Sequence, residues 1–382
     1  MVSTNGAVTQ NDDDLAAVAT VFQAIQGHWL TACLGVLMDL KIPEILASQE
    51  SPIQFKQLAK LAGVSDAGLD HFYKVLRVCG QWSLLDESRE GRHFSANSAT
   101  RQLVRGKDAT LGHFVDHQIN KPKWDAWKML PEAVRSGAVP FALAHGGLDM
   151  HQYDEVKGNE AFAEDFQQAM TYFTKLSLRG GEVSLKDAFD WSSAKCIMDV
   201  GGGRGECLSH CMLHAGPGCR GVLMDRPWVL DSVDMKGTFE AKGVHDAAKR
   251  LSFVSAEVRE PFPAAVREAG VDTIVMKHFL SGFSDADADI ILKHCKAVLP
   301  PVGKILLMQT LVPEAGDRDH NVCKDGVAPG LFSIEILAMC PGGGWRTLSE
   351  WKAMFAKHGY GLEDVKAVGA NMSLMCWGLT QN

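Results

Sequence analysis

A glycine-rich turn with an acidic residue at a set distance is the part of this sequence best suited to hold a nucleotide-like ligand. Gly201-Gly202-Gly203-Arg204-Gly205 follows the apolar run "CIMDV", and Asp225 comes twenty residues after Gly205, at the end of a second apolar run. Glycines let a ligand approach the backbone closely, and the carboxylate can accept hydrogen bonds from two ribose hydroxyls. Asp199, just before the turn, is poorly suited to a pyrophosphate but suits a cation. S-adenosylmethionine (SAM) fits, because it joins a sulfonium to a ribose, an adenine and an amino acid.

The elements that must position this turn alternate along the C-terminal half of the chain. Apolar runs predict strands in "CIMDVGGGRG", "RGVLMDRP", "VDTIVMKHFL" and "GKILLMQTLV", with helical segments between them. Such a βαβ series predicts a parallel, doubly wound sheet, in which ligands bind at the carboxyl ends of the strands. The predicted fold class is therefore α/β, with a C-terminal Rossmann-like SAM-binding domain.

The N-terminal part of the sequence predicts a dimerisation helix followed by a winged-helix-like module. Apolar residues fall in nearly every register of the helical segment Asp14–Leu40, which therefore needs more than one packing partner, such as a second copy of the chain. The next segment, residues 51–87, has the outline of two short helices, and a hairpin through Leu85 and Phe94 follows. Lys74 and Arg77 are the basic residues of its second helix, which is too few to favour DNA binding over a structural role.

Residues 106–180 are predicted to be helices rich in aromatic residues and methionine. Phe162, Phe166, Met170 and Phe173 recur at spacings of four, four and three, which places them on one helical face. Such a stripe is equally compatible with plain core packing and with the wall of an apolar ligand pocket.

Composition and charge narrow the class of protein. The chain has 382 residues, a net charge of −8 and interspersed acidic and basic residues, which argues against nucleic acid as the main partner. Its ten cysteines show no regular spacing, and we expect reduced thiols and a cytoplasmic location. The polar start, residues 1–14, predicts a short disordered tail rather than a targeting peptide, and no apolar run is expected to reach the length of a transmembrane span.

These motifs together resemble the plant and fungal small-molecule O-methyltransferases over nearly the whole chain. The matching stretches are "MDVGGGRG", "GVLMDRPWVL", "MKHFLSGFSDADADIILKHC", "GKILLMQT" and "PGGGWRTLSEW". The resemblance implies an N-terminal dimerisation and winged-helix domain (residues 1–110), a helical substrate-pocket region (111–185), a SAM domain (186–382) and a homodimer. It also implies a set of cofactor-binding residues: Gly201, Gly203, Asp225, Arg226, Glu257, Val258 and Lys277.

The family's catalytic positions carry different residues in this chain. By the resemblance, the histidine that removes the substrate's proton falls at Ser281, and the two carboxylates that steady it fall at Gln309 and Trp345. His278 lies three residues before Ser281, an odd offset that on a continuous strand would turn it to the opposite face. A neutral serine or glutamine cannot serve as the general base that a phenol of pKa about 10 requires at neutral pH.

A preserved SAM site beside a missing base resembles the fungal O-methyltransferase-like pericyclases of 2-pyridone alkaloid biosynthesis. The resemblance implies dehydration or Diels-Alder, hetero-Diels-Alder or Alder-ene cyclisation of a polyketide-type polyene or pyridone in secondary metabolism, with SAM bound as a fixed charge and not consumed. Two alternatives stay open: an O-methyltransferase with a non-standard base or an already acidic substrate, and a non-catalytic SAM-binding partner subunit. No membrane or nucleic-acid partner is expected.

Four residues are the candidates for catalysis in this hypothesis. Polar side chains facing the pocket would have to bind the substrate's oxygens. His117 is as compatible with an exposed loop as with a site, whereas for Lys324 a solvated side chain is the commoner outcome. The catalytic candidates are His117, Lys324, Ser281 and Gln309, and the substrate-binding candidates are Gln118, Phe162, Phe166, Met170, Phe173, Ile336, Met339 and Trp345.

A metal site is not expected in the stretch "CLSHCMLH". Cys207, His210, Cys211 and His214 lie along one helical face, but they span about 10 Å at the rise of a helix. Four ligands in such a line cannot close on one tetrahedral ion.

Overall fold

The computed structural model describes residues 6–106, 110–179, 183–317, 326–369 and 372–380. The chain divides into two compact units, residues 1–119 and 120–382. The helices, numbered in chain order, are α1 (Gly6–Asp39), α2 (Ile42–Ala47), α3 (Phe55–Leu61), α4 (Leu69–Gln81), α5 (Ser98–Gln102), α6 (Gly112–Ile119), α7 (Lys121–Trp127), α8 (Leu130–Ser136), α9 (Pro140–Ala144), α10 (Met150–Asp154), α11 (Glu160–Ser177), α12 (Leu185–Ala188), α13 (Glu206–Ala215), α14 (Pro227–Asp231), α15 (Met235–Thr238), α16 (Ala247–Arg250), α17 (Ala264–Glu268), α18 (Asp285–Val298), α19 (Pro329–Met339) and α20 (Leu348–Ala356).

Two sheets, one in each unit, organise these helices. The strands are β1 (Ile53–Gln54), β2 (Asp86–Glu87), β3 (His93–Ser95), β4 (Cys196–Val200), β5 (Arg220–Asp225), β6 (Leu251–Ser255), β7 (Thr273–Lys277), β8 (Lys304–Gln309), β9 (Tyr360–Val368) and β10 (Met372–Leu379). The N-terminal sheet has the antiparallel order β1-β3-β2, and the C-terminal sheet has the order β6-β5-β4-β7-β8-β10-β9.

The N-terminal unit confirms the predicted outline of a long helix followed by a helix pair and a hairpin. Leu37 of α1, Phe55 of α3, Phe72 and Leu76 of α4, and Phe94 of β3 are buried in one apolar core. Arg105 closes the unit, because its guanidinium binds Glu44 of α2 and Asp116 of α6, each at 2.9 Å. The prediction of a disordered N-terminal tail is wrong from Gly6 onwards, where α1 begins.

The outward face of α1 is apolar. Val18, Phe22, Ile25 and Trp29 are between 44% and 54% exposed, and they follow one another at spacings of four, three and four. The stretch Asp14–Asp39 is long and apolar enough to cross a membrane by length and composition, so the expectation that no run reaches that length is wrong. The same composition is what a helix needs if its outward face packs on a second chain.

The C-terminal unit is the predicted α/β domain. Strands β6, β5, β4, β7 and β8 are parallel, whereas β10 pairs antiparallel with β8 and with β9. The four predicted strands are present as β4, β5, β7 and β8, and their residues are almost entirely buried because helices cover both faces of the sheet. The carboxyl ends of β4, β5, β7 and β8 therefore meet at one edge, where the candidate site lies.

Candidate functional site

The glycine turn after β4 is tied to the end of β5 by a hydrogen bond. The backbone N–H of Gly203 donates to Oδ2 of Asp225 at 2.7 Å, and that of Arg226 donates to Oδ1 at 2.8 Å. Gly201 has φ 65°, and a Cβ on it would lie 2.1 Å from a ring carbon of Phe279. Both the left-handed backbone and the close packing require glycine there.

Asp199 is a buried carboxylate beside this turn. It is 1% exposed, and its Oδ2 has no hydrogen-bond partner among the residues that the structure describes. Burial, and then the negative charge of Asp225, raises the pKa of Asp199 to about 7. An unpaired buried acceptor calls for a donor or cation from outside the chain. The cationic parts of SAM, its sulfonium and its ammonium, fit this requirement.

Lys277 ends β7 and brings a positive charge to the same place. Burial lowers the pKa of Lys277 to about 8, and the negative charge of Asp199 acts against that shift. Its Nζ lies 5.2 Å from the ring centroid of Phe173, a cation–π distance. A carboxylate and an ammonium that interact in this way match the opposite charges of an amino acid ligand.

The remaining predicted cofactor residues lie further along the same edge. Arg226 contacts Asp154 at 3.4 Å and Glu155 at 3.3 Å. The carboxylate of Glu257 binds Arg259 at 3.0 Å, and this contact lowers the pKa of Glu257. Val258, which follows Glu257, packs against the apolar core of the sheet. The roles of Arg226, Glu257 and Val258 stay predictions.

The position of His278 differs from the one that strand alternation predicts. The residue follows β7 directly, with φ 51°, so the strand alternation stops at Lys277 and does not carry the imidazole to the opposite face. The amide nitrogen of Gln309 lies 3.1 Å from Nδ1 of His278. The expectation that alternation turns His278 to the opposite face therefore does not apply, because the strand ends at Lys277.

Ser281 supports the backbone of His278, and its catalytic role stays a prediction. Its hydroxyl donates to the carbonyl of His278 at 3.2 Å, within the short turn Leu280–Gly282. Ser281 is fully buried, and its own carbonyl accepts from the N–H of Gly344 at 2.8 Å. These bonds fix the left-handed conformation that brings the imidazole to Gln309.

Aromatic rings flank the imidazole of His278 on two sides. The ring centroid of Trp345 lies 5.7 Å away, nearly parallel, and that of Phe173 also lies 5.7 Å away. Phe332 stacks on Trp345 with centroids 5.0 Å apart. Burial, and then the charge of Lys277, holds the pKa of His278 well below its usual value, so the ring is neutral at pH 7.

The aromatic residues predicted to form one stripe on α11 contact two different sets of residues. Phe162 and Phe166 pack with Ile336 and Met339 in one apolar cluster, whereas Phe173 faces His278 and Lys277. Met170 lies between them on the same helix and is half-buried. The structure thus brings Phe162, Phe166, Ile336 and Met339 together, and it joins Phe173 and Trp345 through His278.

The other polar residues predicted for the site are His117, Gln118 and Lys324. His117 and Gln118 lie on α6, and His117 is buried rather than on an exposed loop. Lys324 lies outside the described residues. In the "CLSHCMLH" stretch, Cys207 and Cys211 face the core, whereas His210 pairs with Glu206 at 3.4 Å.

Sequence reasoning set His278 aside and missed the contribution of Phe332. The available signal was the sequence Lys277-His278-Phe279 at a strand's carboxyl end, where polar residues of parallel sheets gather. The stack of Phe332 on Trp345 joins α19 to the loop before α20, a pairing that local spacing does not reveal.

Comparisons with known proteins agree with this architecture. The O-methyltransferase domain matches residues 127–361, and the O-methyltransferase dimerisation domain matches residues 22–106. The mitomycin biosynthesis 6-O-methyltransferase of Streptomyces lavendulae is 27% identical over 362 residues, which cover 93% of this chain and 92% of that protein.

Two solved structures share the fold. That of the mitomycin 7-O-methyltransferase MmcR superposes with a TM-score of 0.78 at 25% identity and covers 97% of this chain and 100% of its own. Human N-acetylserotonin methyltransferase, solved in complex with SAM, has a TM-score of 0.74 at 20% identity over 100% of both chains, which shows likeness of fold alone. Because the domain match spans more than half of its residues, this chain belongs to the O-methyltransferase family.

Proposed function

We propose that this protein is a SAM-dependent O-methyltransferase of small molecules in which His278 contacts the acceptor oxygen. One observation carries the proposal: the imidazole of His278 lies between Gln309 and Trp345. By the resemblance, these are the two positions where the family holds the carboxylates that face its base. The relatives support methyl transfer, since the 27% identical protein is a mitomycin biosynthesis 6-O-methyltransferase.

SAM is the cofactor of this family, and the edge of the sheet fits it. The turn at Gly201 and Gly203 and the carboxylate of Asp225 would hold the ribose side, and Asp199 and Lys277 would face the charged amino acid side. When bound, SAM supplies an electrophilic methyl group: an oxygen lone pair forms the new O–CH₃ bond while the S–CH₃ bond breaks and its electron pair stays on sulfur.

The residues around His278 prepare the acceptor oxygen for that step. Phe173 and Trp345 flank the imidazole and limit the access of water to it, which strengthens polar contacts inside the site. Phe162, Phe166, Ile336 and Met339 form the apolar wall suited to the carbon skeleton of a small molecule. His117, Gln118, Met170 and Lys324 stay candidate substrate contacts.

Ring closure without methyl transfer is our second candidate function. Ser281 and Gln309 replace the histidine and one carboxylate that the resemblance expects, and the neutral state of His278 makes it a weak base. A SAM-binding pericyclase needs no proton abstraction of that kind, because a fixed sulfonium can stabilise charge on a substrate oxygen.

The assembly and its location belong to the same proposal. The dimerisation domain at residues 22–106 and the exposed apolar face of α1 favour a homodimer. The cysteines that the structure describes are free thiols and nearly all buried, which favours a reducing, cytoplasmic location. The division of the chain into three domains, with boundaries at residues 110 and 185, also stays part of this proposal.

The test needs no guessed substrate. Purified protein and SAM are incubated with a metabolite extract from source cells that lack this gene, and products are followed by high-resolution mass spectrometry. A product one methylene heavier than its precursor, with S-adenosylhomocysteine formed in equal amount, supports methyl transfer. A product of unchanged mass, or one water lighter, formed only with SAM that is not consumed, overturns it in favour of the pericyclase. The variant Asp225→Asn is the control, since it weakens SAM binding in either case.

A further inference from the structure

The side chain of Gln167 lies over the glycine turn and is buried there. Gln167 belongs to α11 and is 4% exposed. Its Oε1 lies 3.5 Å from the point where a Cβ on Gly203 would stand. Apart from the residues next to Gly203 in the chain, no other atom of the described residues comes within 4 Å of that point. The amide therefore borders a space above the turn that the chain leaves open.

The amide of Gln167 makes no hydrogen bond to any residue that the structure describes. The backbone carbonyl of Gln167 accepts from the hydroxyl of Thr171 at 2.8 Å, but this bond does not involve the side chain. A buried amide without a partner costs free energy, and such groups are usually satisfied by water, an ion or a ligand. An amide has an acceptor on one atom and donors on the other, so the need for a partner is the same in either of its two orientations.

An ion pair holds α11 against the glycine turn, one helical turn before Gln167. Arg204 follows Gly203 in the turn, and its Nη2 lies 2.5 Å from Oε2 of Glu164. Nε of Arg204 also donates to the hydroxyl of Ser232 at 3.2 Å. Residues three apart on a helix lie on the same face, so Glu164 and Gln167 both point towards the turn. The helix is therefore seated so that the amide of Gln167 reaches Gly203.

The same helix leads from the glycine turn to the charged end of the site. Phe173 follows Gln167 by six residues, and its ring centroid lies 5.2 Å from Nζ of Lys277. Asp199 lies close to the same ammonium, because its negative charge opposes the lowering of the pKa of Lys277 by burial. A ligand that spans the space under α11 would therefore meet Gln167 and these two charges together.

The ribose side of the turn already has a polar group of its own. The two carboxylate oxygens of Asp225 accept from the backbone N–H groups of Gly203, at 2.7 Å, and Arg226, at 2.8 Å. Each oxygen keeps a lone pair that can accept from a ribose hydroxyl. The amino acid end of SAM differs, because it carries a carboxylate and an ammonium and so needs donors and an acceptor together. The amide of Gln167 offers both.

We propose that Gln167 binds the amino acid end of SAM, with its N–H groups donating to the carboxylate and its oxygen accepting from the ammonium. Asp199 and Lys277 supply charge at that end, and Gln167 adds hydrogen bonds that do not depend on a protonation state. The inference holds for methyl transfer and for ring closure alike, since both candidate functions bind SAM. The motifs of the βαβ series do not reveal Gln167, because α11 precedes that series in the chain.

The first test compares two ligands that differ at the amino acid end. 5′-Methylthioadenosine shares the adenine, ribose and sulfur of S-adenosylhomocysteine but has a methyl group in place of its amino acid part. Isothermal titration calorimetry of Gln167→Met should show the Kd for S-adenosylhomocysteine raised about tenfold to a hundredfold, the effect of losing a hydrogen bond to a charged group. The Kd for 5′-methylthioadenosine should be unchanged. Equal losses for both ligands, or no loss for either, overturn the inference.

Two further variants calibrate this comparison. Asp225→Asn changes the ribose side of the turn and should weaken the binding of both ligands. Gln57→Met, at an exposed position on α3, is the matched control for exchanging an amide for a thioether. It should bind both ligands with the affinity of the wild type.

The stability of the ligand-free variant separates a ligand contact from a structural one. Methionine is close to glutamine in length and volume, and it removes a buried amide that has no partner in the protein. Ligand-free Gln167→Met should therefore have the same Tm as the wild type or a higher one. A lower Tm would show that the amide is already bonded within the protein, and would overturn the inference.

A measurement on the wild-type protein does not depend on how the variant folds. At saturating concentrations, S-adenosylhomocysteine should slow backbone hydrogen exchange in α11 more than 5′-methylthioadenosine does. The reason is that a hydrogen bond from Gln167 ties the helix to the first ligand and cannot form with the second. Equal slowing of exchange by the two ligands would contradict the role assigned to Gln167.

Discussion

The imidazole of His278 stacks on the indole of Trp345, with ring centroids 5.7 Å apart and planes 26° from parallel. By the resemblance, Trp345 stands where the family places a carboxylate. An aromatic face stabilises a neutral imidazole by packing, whereas a carboxylate would stabilise its charged form. Burial, and then the charge of Lys277, keeps this histidine neutral at the centre of the candidate site, and no carboxylate at position 345 opposes them.

The neutral state of His278 predicts a specific dependence of stability on pH. Because the pKa of His278 is well below its ordinary value of 6.5, the unfolded chain binds a proton more readily than the folded chain below pH 6.5. The folded state should therefore lose up to about 1.4 kcal/mol per pH unit as the pH falls from 6.5 towards the folded pKa. Denaturant unfolding of the ligand-free protein at pH 7.0, 6.0 and 5.5 measures this slope.

His278→Asn is the matched variant, because asparagine tolerates the φ of 51° at this position. All other titrating groups are shared with the wild type, so the difference between the two slopes isolates His278. Equal slopes in the two proteins would show that His278 does not contribute to the pH dependence of the free energy of unfolding.

Asp199 predicts that SAM binds with release of a proton. Its pKa of about 7 means that the carboxylate is half-protonated near neutral pH, and a cationic ligand favours the ionised form. The Kd for SAM should therefore rise about tenfold for each pH unit below 7, and stay nearly constant well above it. Isothermal titration calorimetry at pH 6, 7 and 8, in buffers of different ionisation enthalpy, counts the released proton.

Asp199→Asn should bind SAM more weakly and without this pH dependence. A wild-type enthalpy that is the same in all buffers at pH 7 would show that no proton leaves, and would place the cationic parts of SAM away from Asp199.

The sequence was sufficient for the sheet and the glycine turn because both depend on local patterns. Buried strands read as continuous apolar runs, and a left-handed turn such as that at Gly201 favours glycine. The antiparallel pair β9 and β10 was not predicted, since their pairing with β8 depends on contacts far apart in the chain.

The face on which His278 lies could not be predicted from the sequence, and the reason is physical. Counting alternate faces is valid only while the backbone stays extended, and β7 ends one residue before His278. Its left-handed conformation depends on two bonds: the N–H of His278 donates to the carbonyl of Met308 on the neighbouring strand at 2.9 Å, and the hydroxyl of Ser281 donates to the carbonyl of His278. Neither bond has a signature in the spacing of residues.

Gly201→Ala tests whether the turn is held by packing. The alanine Cβ would meet the ring of Phe279 at 2.1 Å and would force a side chain onto a backbone with φ 65°. We expect destabilisation of about 1–2 kcal/mol from the backbone and about 1–3 kcal/mol from overpacking, with loss of SAM binding. Gly218→Ala is the control, since a Cβ there has nothing within 4 Å. Thermal unfolding and SAM titration of both variants measure the difference, and a Gly201→Ala protein as stable as Gly218→Ala would contradict the geometry.

The exposed face of α1 predicts that dimerisation depends on its aromatic residues. Phe22 and Trp29 are each 54% exposed on this helix, and the dimerisation domain begins at residue 22. Burying such side chains against a second chain contributes about 1.5–3 kcal/mol each, and a buried unpaired glutamate opposes association. Sedimentation velocity should therefore show a dimer for the wild type and a monomer for the double variant Phe22→Glu/Trp29→Glu. Val134→Glu, at an apolar position on α8 that is 79% exposed, is the matched control and should remain dimeric. A double variant that still sediments as a dimer would place the interface elsewhere, and the face of α1 would then need another partner.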